Sequence, residues 1–319
     1  SDKNACMLNI FSIFAIDCVR TQWLINTKAF DMKRLFYILF SGLCLFAFMS
    51  CNEILDGADD VERGQSVMIM SFNVRSMNMT EQKVQDKWEN RRDACCSMIN
   101  FYRPVMLGVQ ECARSQRDYI KRKCRGYDVL GISKDSDEDG EQNCIFYLKD
   151  SISVLESGTF WLTYTPDKLS KLDGHYHYRT ATWIKALHKS TNKEFYHINT
   201  HLDNCGNNFR SIELGILLKF IKDNCADCPV VMTADWNEHD EHALFNELYK
   251  TFKNARFTAS TTDRGTTFNN FGANTADMRI DHVFYKGFSS CSKFAVDRQA
   301  WAGHAYISDH YPVYAVLNF

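Results

Sequence analysis

Beyond residue 65 the chain alternates short apolar runs with charged or turn-forming stretches. Residues 67–74, Val-Met-Ile-Met-Ser-Phe-Asn-Val, are rich in strand formers and read as a first strand. The charged stretch 85–102 carries Trp88, Ala94, Cys95, Met98, Ile99 and Tyr102 at mostly three- and four-residue spacing, the period of one helix face. Pro104 stops that helix, residues 105–109 read as the next strand, and 114–123 as a second helix. Strand-like runs recur at 127–131, 144–148, 152–162, 181–187 and 194–199. Residues 208–223 form the clearest amphipathic helix, with Leu214, Leu217, Leu218 and Ile221 at i, i+3, i+4, i+7. A buried strand at 230–233, a helix at 241–252 and strands at 280–285, 293–297 and 313–319 complete the pattern.

Strands outnumber helices, and several neighbours are separated by hairpin-length gaps. That predicts an α+β layered domain, mixed sheets with helices outside. No repeat or low-complexity linker interrupts residues 66–319, so they read as one domain. Upstream, Lys33 and Arg34 precede an uncharged run over 35–50, 16 residues long and short for a membrane span. A basic start and a short apolar run read as an export signal. Cys51 directly after the run resembles the lipidated cysteine of a bacterial lipoprotein, although Phe48 and Met49 depart from the commonest residues there. An ordinary cleaved signal and an uncleaved anchor are the other readings. The expected organisation is an upstream segment and signal over 1–51, beginning in earnest at Met32, then an acidic tether over 52–65. The expected location is outside the cytoplasm, anchored to the membrane by lipid on Cys51.

Charge alters the functional picture more than composition does. Beyond Cys51 there are 32 basic and 36 acidic side chains, without the basic excess of a dedicated nucleic-acid binder. The densest basic stretch, Lys121-Arg-Lys-Cys-Arg125, falls on a predicted outer helix. Nine of the 13 cysteines follow Cys51, and an exported site permits disulfides without saying which pair. Cys225 and Cys228 have CxxC spacing with no second such pair, which favours a helix-to-strand corner over a zinc site.

Candidate chemistry collects where apolar strands stop. Asn73 ends the first strand and Gln110-Glu111 the second; His201 and Asp203 follow 196–200, and Asp235 and Asn237 follow 230–234. Asp281-His282 opens a strand, and Asp309-His310 precedes the last one. Carboxylates at adjacent sheet ends repel unless protonated or neutralised by a cation. Hard oxygen donors favour Mg²⁺, Mn²⁺ or Ca²⁺ over zinc.

Six ordered strings then make the chain recognisable: Ser71-Phe-Asn-Val-Arg75, Gly108-Val-Gln-Glu111, Asn199-Thr-His-Leu-Asp203, Thr233-Ala-Asp-Trp-Asn237, Ile280-Asp-His-Val-Phe284 and Ser308-Asp-His-Tyr-Pro-Val313. Together they resemble the endonuclease/exonuclease/phosphatase superfamily of DNase I-like metal-dependent phosphohydrolases, across about residues 67–319. The resemblance implies a four-layer α/β/β/α sandwich with the site at one end of two sheets. Finer strings, Gly158-Thr-Phe-Trp-Leu162 with Thr165-Pro166, Arg179-Thr-Ala-Thr-Trp183 and Gly265-Thr-Thr-Phe268, look like a bacterial, often secreted branch. Ala234 and Trp236 depart from the family's Gly and Phe, and Asn204 stands where relatives often have His.

The resemblance implies roles. Glu111, Asn73 and Asp309 would ligate Mg²⁺, with Mn²⁺ a possible substitute; His310 would be the general base, oriented by Asp281; Asp235 would position the attacking water. Asn237 and His201 would donate to phosphate oxygens, with protonation of the leaving group an alternative for His201. Arg179 would reach the substrate phosphate or serve only as a loop-closing residue. Asp203 stands between a supporting partner and a turn residue, and Tyr147 and Phe268 between substrate contact and packing. Asp135-Ser-Asp137-Glu-Asp139-Gly140 imitates the start of an EF-hand loop, but Phe146 occupies the position that needs a bidentate Glu. The expected function is a metal-dependent phosphodiesterase or phosphatase acting on a small molecule, nucleotide or lipid head group. A secreted nuclease and a non-catalytic binding lipoprotein are the rival readings.

Overall fold

The computed structural model describes residues 65–225 and 228–319; the signal segment, Cys51 and all of the tether but Gln65 lie outside them. Two mixed sheets face each other. In chain order the elements are β1 (Ser66–Asn73), α1 (Trp88–Tyr102), β2 (Met106–Ala113), α2 (Arg114–Lys123), β3 (Tyr127–Leu130), β4 (Glu141–Leu148), β5 (Ile152–Trp161), β6 (Thr180–His188), β7 (Lys193–His201), α3 (Asn207–Asn224) and β8 (Val230–Asp235). They continue with β9 (Lys253–Asn254), α4 (Ala255–Thr258), β10 (Thr261–Thr262), β11 (Asp281–Lys286), β12 (Ser290–Val296) and β13 (Val313–Asn318). The first sheet runs β10-β12-β13-β1-β2-β4-β3 and the second β5-β6-β7-β8-β11-β9.

Alternation places the core. Val67 and Ile69 of β1, Met106 and Ile145 meet Ile184, Phe195, Val231 and Val283 of the other sheet in one buried layer. On the far side of the second sheet, Leu214, Leu217 and Ile221 of α3 pack on Ile198, Met232 and Phe284. Helix α2 lies against β2, β3 and β4. This is the expected α/β/β/α sandwich. Among the described residues no helix is long and apolar enough to cross a membrane.

Three local expectations change. Residues 241–252 form two short 3₁₀ turns, Ala243–Asn246 and Leu248–Lys250, rather than one helix. Only Phe245 and Leu248 of these turns are buried, so they lack the continuous apolar stripe that sustains an α-helix on a core. Strands β9 and β10 are two-residue pairings that periodicity cannot reveal. Strands β7 and β8 run two residues past their apolar runs, to His201 and Asp235. The nine cysteines among the described residues are all unpaired, including Cys225 and Cys228.

Candidate active site

Parallel pairing of β7 and β8 sets His201 directly opposite Asp235, and antiparallel pairing of β8 and β11 sets Asp235 opposite Asp281. Asn73 ends β1 beside Gln110 of parallel β2. The register thus carries four chemical side chains to one end of the sandwich. Glu111 arrives differently. The β2–β4 pairing is irregular between Val109 and Cys112, and Glu111 has φ +56°, a conformation few residues other than Gly adopt. That local turn points its carboxylate to the sheet end.

Beneath the site the two sheets are joined by a polar layer. Gln110 Nε2 donates to Asn199 Oδ1 at 2.6 Å, and Asn199 Nδ2 donates to the carbonyls of Val109 and Cys144 at 2.9 Å each. Gly108 permits this approach: a Cβ there would stand 2.0 Å from Thr233 Oγ1 and 2.5 Å from Asn199 Oδ1.

One cavity of about 340 Å³ is lined by Glu111, Arg179, His201, Asp235, Asn237 and His310 among others. Asn73 Nδ2 donates to Glu111 Oε1 and to Asp235 Oδ2, each at 3.0 Å, while its carbonyl oxygen accepts from the Arg75 N–H. Asn73 therefore bridges two carboxylates as an amide donor. His310 Nδ1 lies 2.9 Å from Asp281 Oδ2, and its Nε2 lies 3.6 Å from Asp235 Oδ2. Burial opposes a charge on His310, but Asp281 and Asp235 outweigh it and hold the ring well above its ordinary pKa. Burial pushes the Asp235 carboxyl up to about 7. Burial, together with Arg179 and Lys134, drives the His201 pKa far down, which favours the neutral ring. Asn237, at φ +51°, donates to the carbonyl of Leu202 and faces His201 Nε2, both at 2.9 Å.

The residues fit a divalent cation. Glu111 and Asp309 both act on the guanidinium of Arg75, which lies 3.3 Å from Asp309 Oδ2 and so stands in for positive charge where two carboxylates converge. Glu111, His201 and Asp235 each offer a ligand atom within 4.8 Å of the others. Hard oxygens backed by a single nitrogen suit Mg²⁺ or Mn²⁺.

Arg179 is buried, lines the cavity and lies 3.6 Å from Asp203 Oδ2, which is also 2.5 Å from His175 Nε2. Asp203 is therefore a partner that holds Arg179. Phe268 packs against His310 with centroids 5.0 Å apart, whereas Tyr147 packs on the core. Asn204 lines the cavity. Trp236 fills the core beside Phe245 and Phe284, and its Nε1 donates to the His282 carbonyl. Residues 135–140 form a turn closed by its own Asp side chains, and Phe146 is buried in β4. None of the 121–125 basic stretch lines the cavity.

Two residues that frame the candidate site escaped sequence reasoning. Arg75 sits inside a recognised string, where only its position could have drawn notice. Arg91 is a charged residue in the middle of α1, yet it is fully buried. It donates to the carbonyls of Asp86, Val74, Arg75 and Ile307 at 2.5–2.9 Å. It thereby ties the segment after Asn73 to the segment before Asp309.

Residues 70–310 match the model of the endonuclease/exonuclease/phosphatase family, and the chain belongs to that family. Its members hydrolyse phosphoesters. A protein of that family from Bacteroides vulgatus is 29% identical, with TM-score 0.74 over 80% of this chain and 99% of its own. A Bacteroides thetaiotaomicron mannosyl-6-phosphatase is 27% identical, with TM-score 0.73 over 79% of this chain and 100% of its own. D. rerio TDP2 complexed with single-strand DNA product, 18% identical at TM-score 0.65 over 80% of this chain and 99% of its own, shares the fold. A protein of Acanthamoeba polyphaga mimivirus is 28% identical over 73% of this chain and 92% of its own length.

Proposed function

We propose that the chain is a divalent-metal-dependent phosphoesterase acting on small substrates. The observation that carries this is the run of Asp281, His310, Asp235, Asn73 and Glu111 through hydrogen bonds and ion pairs along one cavity. Glu111 and Asp309 would hold the cation, Mg²⁺ with Mn²⁺ as substitute, which supplies Lewis-acid polarisation of a phosphoryl oxygen. Asp235 and His310 flank the place for the attacking water. The water oxygen bonds to phosphorus, its proton passes to the Asp235–His310 pair, and the bond to the leaving oxygen breaks; that oxygen takes a proton from solvent. Asp281 orients the His310 ring and balances its charge. Arg179 and Asn237 meet charge on the phosphoryl oxygens. Burial favours a neutral His201, which would serve as a hydrogen-bonding partner rather than as the acid.

The likeness to a mannosyl-6-phosphatase supports the small-substrate reading. So does a cavity whose lining includes none of the densest basic stretch. The nuclease reading draws on the shared fold of TDP2 alone. The signal string and Cys51 support an exported, lipid-anchored enzyme of a bacterial secreted branch; metabolic labelling with a fatty acid that fails to mark the chain at Cys51 would end that part. For the activity, the chain is assayed on phenyl phosphate, a small phosphodiester and plasmid DNA, with Mg²⁺ and with chelator. Chelator-sensitive turnover of a small ester is expected. Plasmid cleavage alone would make it a nuclease, and metal-independent turnover would remove the metal from the reading.

A further inference from the structure

We infer that the end of the cavity remote from His310 opens into a leaving-group subsite for an uncharged polyhydroxyl group, so that the substrate is a phosphomonoester of a sugar-like polyol. This deepens the phosphoesterase reading and rests on it.

The sheet order gives the cavity a direction. β13 faces β11, β1 faces β8, β2 faces β7 and β4 faces β6. Asp309, His310 and Asp281 therefore stand at one end, Asn73, Asp235, Glu111 and His201 in the middle, and Glu141 and Arg179 at the other. In an in-line displacement the leaving oxygen departs opposite the attacking water. Water held by Asp235 and His310 sends the leaving group toward β4 and β6. Arg179 lines that end, only 6% exposed, and its Nε has no hydrogen-bond partner among the described residues. An anionic phosphoryl group within reach would satisfy it.

A second cavity of about 270 Å³ begins there. It shares Lys134, Glu141 and His177 with the first, and Asn78, Asp135, Asp137 and Tyr176 continue its walls. At about 30 Å³ per water it holds some nine waters' worth of space, enough for one hexose ring. Three carboxylates line it against one ammonium, and that ammonium is already paired with Glu141. Burial, Arg179 and Lys134 lower the His177 pKa, which favours its uncharged form. A second phosphate would be repelled here, which disfavours a nucleic-acid strand or a bisphosphate. Hydroxyl groups would instead find carboxylate acceptors, the Asn78 amide and a Tyr176 ring that is 82% exposed.

The test uses the full chain with Mg²⁺ and compares mannose 6-phosphate and glucose 6-phosphate with phenyl phosphate, fructose 1,6-bisphosphate and a 5′-phosphorylated oligonucleotide. The expected kcat/KM for a hexose monophosphate exceeds that for phenyl phosphate and for the bisphosphate by about tenfold or more, the equivalent of one good contact. Tyr176→Ala should raise KM for the hexose phosphate about tenfold with little change in kcat, and Asp137→Asn should narrow the gap between mono- and bisphosphate. A terminally 6-phosphorylated oligosaccharide cleaved faster than the free sugar phosphate would place the substrate on a glycan; the reverse order would make it the free sugar, and both support the subsite. Turnover of phenyl phosphate with no gain for sugars, or a preference for the bisphosphate or oligonucleotide, overturns the subsite and leaves the phosphoesterase reading standing. Turnover of no ester at all overturns both.

Discussion

Arg91→Met removes a guanidinium that four backbone carbonyls share in a fully buried position. Methionine fills similar volume between Trp88 and Phe271, the rings 5.3 and 5.7 Å from the guanidinium carbon, but offers no donor. Each buried carbonyl left unpaired costs about 1–3 kcal/mol. Water entry and loop relaxation recover part of the sum, so the net loss should resemble that of breaking a buried charged network, about 3–5 kcal/mol. At about 2–4 °C per kcal/mol for a domain of this size, the melting temperature should fall by about 6–20 °C. Activity should fall further than stability explains at 20 °C, because Val74 and Ile307 flank the segments that present Asn73 and Asp309. Differential scanning calorimetry and Mg²⁺-dependent turnover at a temperature where the variant remains folded are the assays. A melting temperature within about 2 °C of wild type, with normal turnover, would refute the idea that Arg91 ties these two segments together.

Other outcomes follow from the same geometry. His310→Ala should lower kcat by at least about 100-fold, the low end of general acid–base contributions, while circular dichroism shows an intact fold; near-normal turnover removes His310 from the reaction. Glu111→Gln should shift the Mg²⁺ concentration for half-maximal activity upward, and isothermal titration should show weaker Mg²⁺ binding; unchanged binding would move the ion elsewhere. Glu213 is a pH device for stability. Burial raises its pKa to about 7 from an ordinary 4.5, so the folded state holds the proton longer than the unfolded chain. Stability then falls as pH rises from about 4.5 to 7, by at most about 3 kcal/mol. Glu213→Gln should accordingly be more stable than wild type at pH 8 and nearly equal to it near pH 4.5 by urea unfolding. An equal difference at both pH values would contradict the shift.

The apolar runs, their turns and the polar residues that close them were legible along the chain, because strand and helix periods are local properties. So were the candidate site residues, since Glu111 and Asp235 stand where an apolar strand gives way to polar chain and His310 stands just before the last strand begins. The roles were less legible. That Asn73 donates to two carboxylates, that the neutral form of His201 is favoured, and that Asp203 serves Arg179 depend on neighbours 24 to 162 residues away or on burial. The short turns at 243–250 were missed for the same reason: residues 241–252 resemble a helix until the core leaves most of them outside. The chain alone determined which groups could do chemistry and in what order they arrive. Only the tertiary structure decided their spacing, their protonation and the direction of the cavity, because those follow from strand register, from the bulge at Glu111 and from the low dielectric between two closed sheets.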